Sequence, residues 1–272
     1  MNNQQQKRPI LSYYIIVMSI GVGMTVMLSA LYRSHYTDNE SLRRCLNATL
    51  ITLMALVIFP MAVRAVSLLL KSRTVKSRLR ALGYSDEFYR FLDKTYRRKR
   101  GFPSPVNALI CAAQYANGER YAKAHEILDG ISPAALSKNV CAEYYNARLY
   151  LYLMENRLPE AEQIYFAVGA FLESQKYKKT GAGIFHTLAV LELHRGNFAK
   201  AESDLAFILA AFRGKQIRFS CGLYLALVYL RTGRCYDAKR LAAELLPLAQ
   251  NPRDQSDLAR LMKLIEKSFA QL

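Results

Sequence analysis

The stretch Gly196-Asn-Phe-Ala-Lys-Ala-Glu-Ser-Asp-Leu-Ala-Phe-Ile208 decides how most of this chain is read. A turn residue is followed by an apolar residue, then by an alanine, then by leucine and isoleucine at helical steps. The same phrase returns three times: as NGERYAKAHEIL around Ala124, ENRLPEAEQIYFAV around Ala161 and TGRCYDAKRLAAEL around Ala238. Aligned on their alanines, the phrases lie 37, 40 and 37 residues apart. Tyr121, Leu158, Phe198 and Cys235 stand three residues before the alanine, and Gly118, Asn156, Gly196 and Gly233 supply the turn. Leu128, Tyr165, Leu205 and Ala242 follow one helical turn later.

This pattern predicts helical hairpins. Gly or Asn takes the left-handed conformation that ends a first helix. The alanine lets a second helix approach closely, and bulky residues around it fill the space between units. A single hairpin cannot bury its own apolar face, so neighbours must stack, which is why the phrase repeats. By this alignment NGERYAKA carries one extra residue between Gly118 and Tyr121. First helices are expected over Ala108–Asn117, Asn139–Met154, Ile184–Arg195 and Cys221–Arg231, with a capping helix over about Asp254–Ala270.

The phrases resemble the tetratricopeptide repeat family, whose turn reads Gly-x-aromatic-x-x-Ala. Gly196, Phe198, Ala201, Leu205 and Ile208 fit closely, and the resemblance covers roughly residues 104–248. It implies an α-solenoid of about four hairpins whose first helices line a protein-binding groove. Carried over position by position, the groove holds Ala108, Ala112 and Tyr115, then Glu143, Asn146, Tyr150 and Leu153. His186, Val190 and Leu193 follow from the third repeat, and Leu223, Leu227 and Arg231 from the fourth. Some family members clamp a carboxylate with polar groove residues; Ala108, Ala112, Ala147 and Gly183 stand at such positions here. An apolar or amphipathic helix is therefore the expected guest, unless the chain fills part of the groove itself with the helix near Phe88–Tyr96.

Upstream of the repeats the composition changes. The chain is 52% hydrophobic, and residues 10–32 and 45–63 carry no charge. As helices these runs reach about 34 and 28 Å, against a hydrocarbon core of about 30 Å. Two transmembrane helices are expected, over about 10–32 and 45–68, forming a hairpin within residues 10–70 after a tail at 1–9. Lys7, Arg8 and six basic residues between Arg64 and Arg80 flank the pair, against Arg33, Arg43 and Arg44 between the spans. The positive-inside rule places both termini in the cytoplasm, and the layout is similar to that of bacterial two-span repeat proteins of the inner membrane. Five scattered cysteines, none in a C-x-x-C pair, suit a reducing compartment.

Residues 71–103 form a basic collar, from which much of the net charge of +17 derives. Lys71, Arg73, Lys76, Arg78, Arg80, Arg97, Arg98, Lys99 and Arg100 are expected to face anionic lipid headgroups. Within the collar Ser85 begins a short helix, with Phe88, Phe91, Leu92 and Tyr96 on one stripe, suited to the membrane surface or to the next domain. Gly101 to Pro105 then breaks the helix and opens the solenoid, residues 104–272.

No triad, H-E-x-x-H or complete glycine-rich phosphate loop occurs. His186 and His194 are eight residues apart, too far to ligate side by side. No enzyme activity, cofactor, metal or small-molecule substrate is expected. The sequence thus reads as an all-α, membrane-anchored adaptor that recruits proteins at the cytoplasmic face. The competing reading is a membrane-tethered regulator binding nucleic acid through the basic segment.

Overall fold

A computed structural model of the chain describes residues 70–97, 101–178 and 181–270, together with Thr49, Thr52, Ile58, Ala62, Val66 and Ser67. The protein divides into two compact units, Met1–Thr74 and Val75–Leu272. The described positions of the first unit are all helical. Apart from those six isolated positions, the expected spans at 10–32 and 45–68 lie outside the described residues. Among the described residues no helix is long and apolar enough to cross a membrane.

In the second unit the described regular elements are helices. After α1 (residues 75–82) and α2 (Asp86–Tyr96) come four pairs. The first is α3 (Pro105–Asn117) with α4 (Tyr121–Asp129), and the second α5 (Lys138–Met154) with α6 (Leu158–Glu173). The third is α7 (Ala182–His194) with α8 (Phe198–Ala211), and the fourth α9 (Lys215–Arg231) with α10 (Cys235–Leu245). The closing helix α11 spans Pro252–Phe269. Tight turns make each pair an antiparallel hairpin, and the hairpins stack in chain order into a solenoid-like row. The second helices begin at Tyr121, Leu158, Phe198 and Cys235, as the repeated phrase requires. Helix α9 starts at Lys215, six residues before its expected Cys221, and already buries Phe219 in that added stretch.

Every turn within a pair has one geometry. Glu119, Asn156, Gly196 and Gly233, each five residues before the alanine, take φ of 61°, 57°, 79° and 76°. The following amide donates back to the carbonyl five residues earlier: Arg120 to Tyr115, Arg157 to Tyr152, Asn197 to Glu192 and Arg234 to Tyr229, at 2.8–2.9 Å. These bonds satisfy carbonyls that the helix end would otherwise leave unpaired.

The first turn departs from its expectation. No residue is inserted: Glu119 holds the left-handed place, while Gly118 has φ −94°. Gly118 is glycine for another reason. A methyl group there would overlap the Tyr89 hydroxyl and lie 2.8 Å from the Tyr84 ring.

Ala124, Ala161, Ala201 and Ala238 are all fully buried. The residue after each of the first three binds the next turn. His125 Nε2 meets Glu155 at 2.6 Å, Arg195 forks onto Glu162 at 2.6 and 2.7 Å, and Arg234 grips Glu202. Apolar clusters lie between these rungs; the first joins Val75, Leu79, Phe88, Leu92 and Tyr96 to Cys111, Ala112 and Leu128. The apolar stripe of α2, capped by Ser85 at 3.3 Å from the Phe88 amide, thus docks on the first hairpin.

Replacing Ala201 with Glu puts a charge where two backbones meet, at an expected cost above about 3 kcal/mol. Thermal unfolding followed by circular dichroism should show a collapsed transition; an unshifted one would refute the close approach.

Candidate protein-binding face

The first helices pack on one another in succession, α3 on α5, α5 on α7 and α7 on α9, while each second helix packs on the first helix of its own hairpin and, where one follows, of the next. The row therefore curves with α3, α5, α7 and α9 inside. At the centre the curvature is tight enough for α5 and α9 to meet over α7: the Tyr150 and Tyr224 hydroxyls lie 3.3 Å apart. The His186 ring sits between them, its centroid 5.6 Å from Tyr150 and 5.2 Å from Tyr224. Burial raises the pKa of both phenols.

His186 is 5% exposed. Burial lowers its pKa to about 4, and a hydrogen bond with the Ser220 backbone acts in the opposite sense. Its Nε2 has no protein hydrogen-bond partner, and neither has the Oδ1 of Asn146, one turn before Tyr150. Asn146 lies beside Gly183, one turn before His186. The centre of the inner face therefore holds two buried polar atoms without a protein hydrogen-bond partner, framed by aromatic rings.

Of the positions carried over from the resemblance, Asn146, Tyr150 and His186 come together here. Glu143 is exposed one turn further out, its carboxyl pKa raised by the surrounding protein. Leu153 and Val190 are buried in the apolar cluster of the second hairpin, and Leu193 is partly buried against the third. Tyr115 is covered by α2: it stacks on Tyr89 at 4.5 Å, and its hydroxyl donates to Asp93 at 3.1 Å. Leu223 and Leu227 pack with Leu258, Leu261 and Ile265 of α11, and Arg231 is exposed at the end of α9. Of the collar cations, Lys71, Arg73, Lys76, Arg78, Arg80 and Arg97 are exposed, while Arg98, Lys99 and Arg100 lie outside the described residues. The guanidinium of Arg78 lies over Phe91 and that of Arg97 over Phe102, at 5.6 and 5.8 Å.

Two features escape the sequence reading. Tyr224 is the inward residue of α9, one position beyond the expected Leu223; a second tyrosine opposite Tyr150 was the available signal. The other is a latch. Arg253 and Arg260 of α11 both bind Glu119, the left-handed residue of the first turn, Arg260 at 2.9 Å. Asp257 holds Arg253 at 2.7 Å, and the capping Asn251 accepts from the Asp254 amide at 3.0 Å. The last helix thereby reaches the first hairpin as well as capping the fourth. Compared with known proteins, the chain matches no family model, no curated protein and no solved structure.

The titration of His186 has a defined sign. The unfolded chain binds its proton near the ordinary value of 6.5, and the folded chain only near 4. Stability from this residue is complete above 6.5 and is lost as pH falls to 4, by up to about 3 kcal/mol. His186→Phe should flatten urea-midpoint profiles over that window, leaving the smaller slope from His194, which burial lowers in the same sense. A profile identical to wild type would place the proton uptake elsewhere.

Glu119 separates strain from pairing. Glu119→Ala keeps a side chain in the left-handed region and removes the latch, at an expected cost of about 1 kcal/mol for these part-exposed pairs. Glu119→Gly loses the same pairs and relieves about 1 kcal/mol of backbone strain. Urea melts should therefore rank glycine above alanine; equal midpoints would mean that the turn stores no strain.

Proposed function

We propose that this protein is a membrane-anchored adaptor of the tetratricopeptide-repeat type, holding a protein-binding solenoid at the cytoplasmic face of a bacterial inner membrane. The observation that carries this reading is the fourfold recurrence of one turn geometry and one buried alanine. That recurrence builds a curved row with its first helices inside. The two charge-free sequence runs, the exposed apolar Ile58, Val66 and Leu70, and the exposed cations that follow them support the membrane anchor.

The partner is an amphipathic helix. Helix α11 already lays Leu258 and Leu261 against the cluster that holds Leu223 and Leu227, and is itself a helix of that chemistry. The accessible part of the inner face runs from the exposed Glu143 through the half-buried Asn146 to the half-buried Tyr150 and Tyr224, which flank the buried His186. Release of the Glu119 latch enlarges it.

A photoreactive residue at the exposed Arg231 of the full chain, expressed in cells, tests the reading. It should yield defined protein adducts, reduced at least threefold by Tyr150→Ala or by the exposed substitution Glu143→Lys. Arg253→Glu, which opens the latch, should increase them. Adducts indifferent to all three substitutions, with helicity retained, would mean that the inner face does not capture the partner.

A further inference from the structure

The solenoid has a second exposed surface of aromatic and basic side chains, on the edge where second helices hand over to the next first helices. The α6–α7 connection carries Tyr177, 71% exposed, and Phe207 near the end of α8 is 48% exposed. Their rings are 6.2 Å apart and perpendicular, and both rest on the buried Phe185 at 5.4 Å. Lys176 Nζ lies 5.0 Å from the rings of both Tyr177 and Phe185. These aromatics are held in place on the outside rather than left over from an imperfect core.

Further cations are exposed on the adjoining chain segments. Lys178 follows Tyr177, and Arg213, Lys215 and Arg218 are exposed on the neighbouring connection and the opening of α9. Helix α9 has no acidic residue in its first turn, where the helix dipole favours anions and disfavours Lys215 and Arg218. Three acids lie near these segments: Glu173 is engaged by Lys176 at 2.6 Å, Asp204 is half-buried with its pKa raised by burial, and the buried Asp254 of α11 accepts from Gln216, beside Lys215, at 3.1 Å. Positive charge thus accumulates on an edge whose own backbone dipole disfavours it, by a few tenths of a kcal/mol to about 1 kcal/mol per exposed charge. Negative charge from outside would relieve that cost.

We propose that this edge is a lipid-docking surface, with Tyr177 and Phe207 entering the headgroup boundary and Arg213, Lys215 and Arg218 binding anionic phosphate groups. Lipid fits better than nucleic acid because perpendicular rings present edges, not the parallel platform on which bases stack. A second copy is disfavoured, since a two-fold contact would set two cationic edges against each other. The exposed positions of α6 carry no charge, and those of α8 carry only Lys200. On α6 the exposed positions are Pro159, Gln163, Phe166, Ala167 and Ala170, with Phe166 95% exposed. This contact is separate from the collar and does not depend on partner capture by the inner face.

The chain contains no tryptophan, so Phe207→Trp creates a single fluorescent reporter in the full-length protein. The reporter chain is reconstituted with vesicles of equal parts phosphatidylglycerol and phosphatidylcholine carrying brominated acyl chains. We expect Phe207→Trp to be quenched at least threefold more than a Tyr236→Trp control on α10, itself 78% exposed. The excess should vanish with phosphatidylcholine alone, at high salt, and in the exposed triple variant Arg213→Ala, Lys215→Ala, Arg218→Ala, whose fold is checked by circular dichroism. Quenching no greater than at the control position overturns the proposal. So does quenching that ignores both headgroup and triple variant, or an emission change produced by an RNA oligonucleotide and not by vesicles.

Discussion

Two helices approach to backbone contact only where the facing side chain is no larger than a methyl group. Ala124, Ala161, Ala201 and Ala238 meet that condition once per hairpin, each with no exposed surface. The close approach fixes the angle at which the second helix leaves the turn, which places the residue after the alanine against the next turn. The pairs His125–Glu155, Glu162–Arg195 and Glu202–Arg234 occupy that one geometric position, with chemistry that varies from rung to rung. Such half-exposed ion pairs contribute little stability singly. Their effect is to set the stacking register of hairpins whose apolar faces alone would tolerate sliding.

The local parts of this design were legible in the sequence. The starts of α4, α6, α8 and α10 follow from the spacing between turn residue and alanine, because that spacing is the turn. The stop before α3 at Gly101 to Pro105 and the cap at Ser85 are equally local. The parts that were not legible depend on distant residues. Glu119 is an unlikely left-handed residue by its own chemistry, and two arginines more than 130 positions away hold it there. Gly118 looked like the turn glycine, and its actual constraint is a tyrosine of α2. For the inner face, the resemblance assigned Leu153, Val190, Leu223 and Leu227 to a groove. The curvature, which no single repeat encodes, turned the first two into core and let α11 cover the others.

Residues 75–96 show how one short segment serves two solvents. The apolar stripe of α2 goes into the first hairpin, and the cations of the same segment remain exposed. Their stems are not idle: Arg78 and Arg97 lie over Phe91 and Phe102, and Arg120 of the first turn covers Tyr89 at 4.2 Å. Guanidinium groups that stack on aromatic faces keep their charge available while shielding apolar surface. A basic composition is therefore compatible with a segment that is structurally part of the solenoid.

A row of stacked units ordinarily loosens from its extremities, since the outermost members have a neighbour on one side only. The contact of Arg253 and Arg260 with Glu119 ties those extremities to each other and turns an open chain of couplings into a loop. Amide protons in the first and last helices of such a loop would exchange with solvent on nearly the same timescale as those in the middle, and the molecule would respond to load as one body rather than peeling unit by unit.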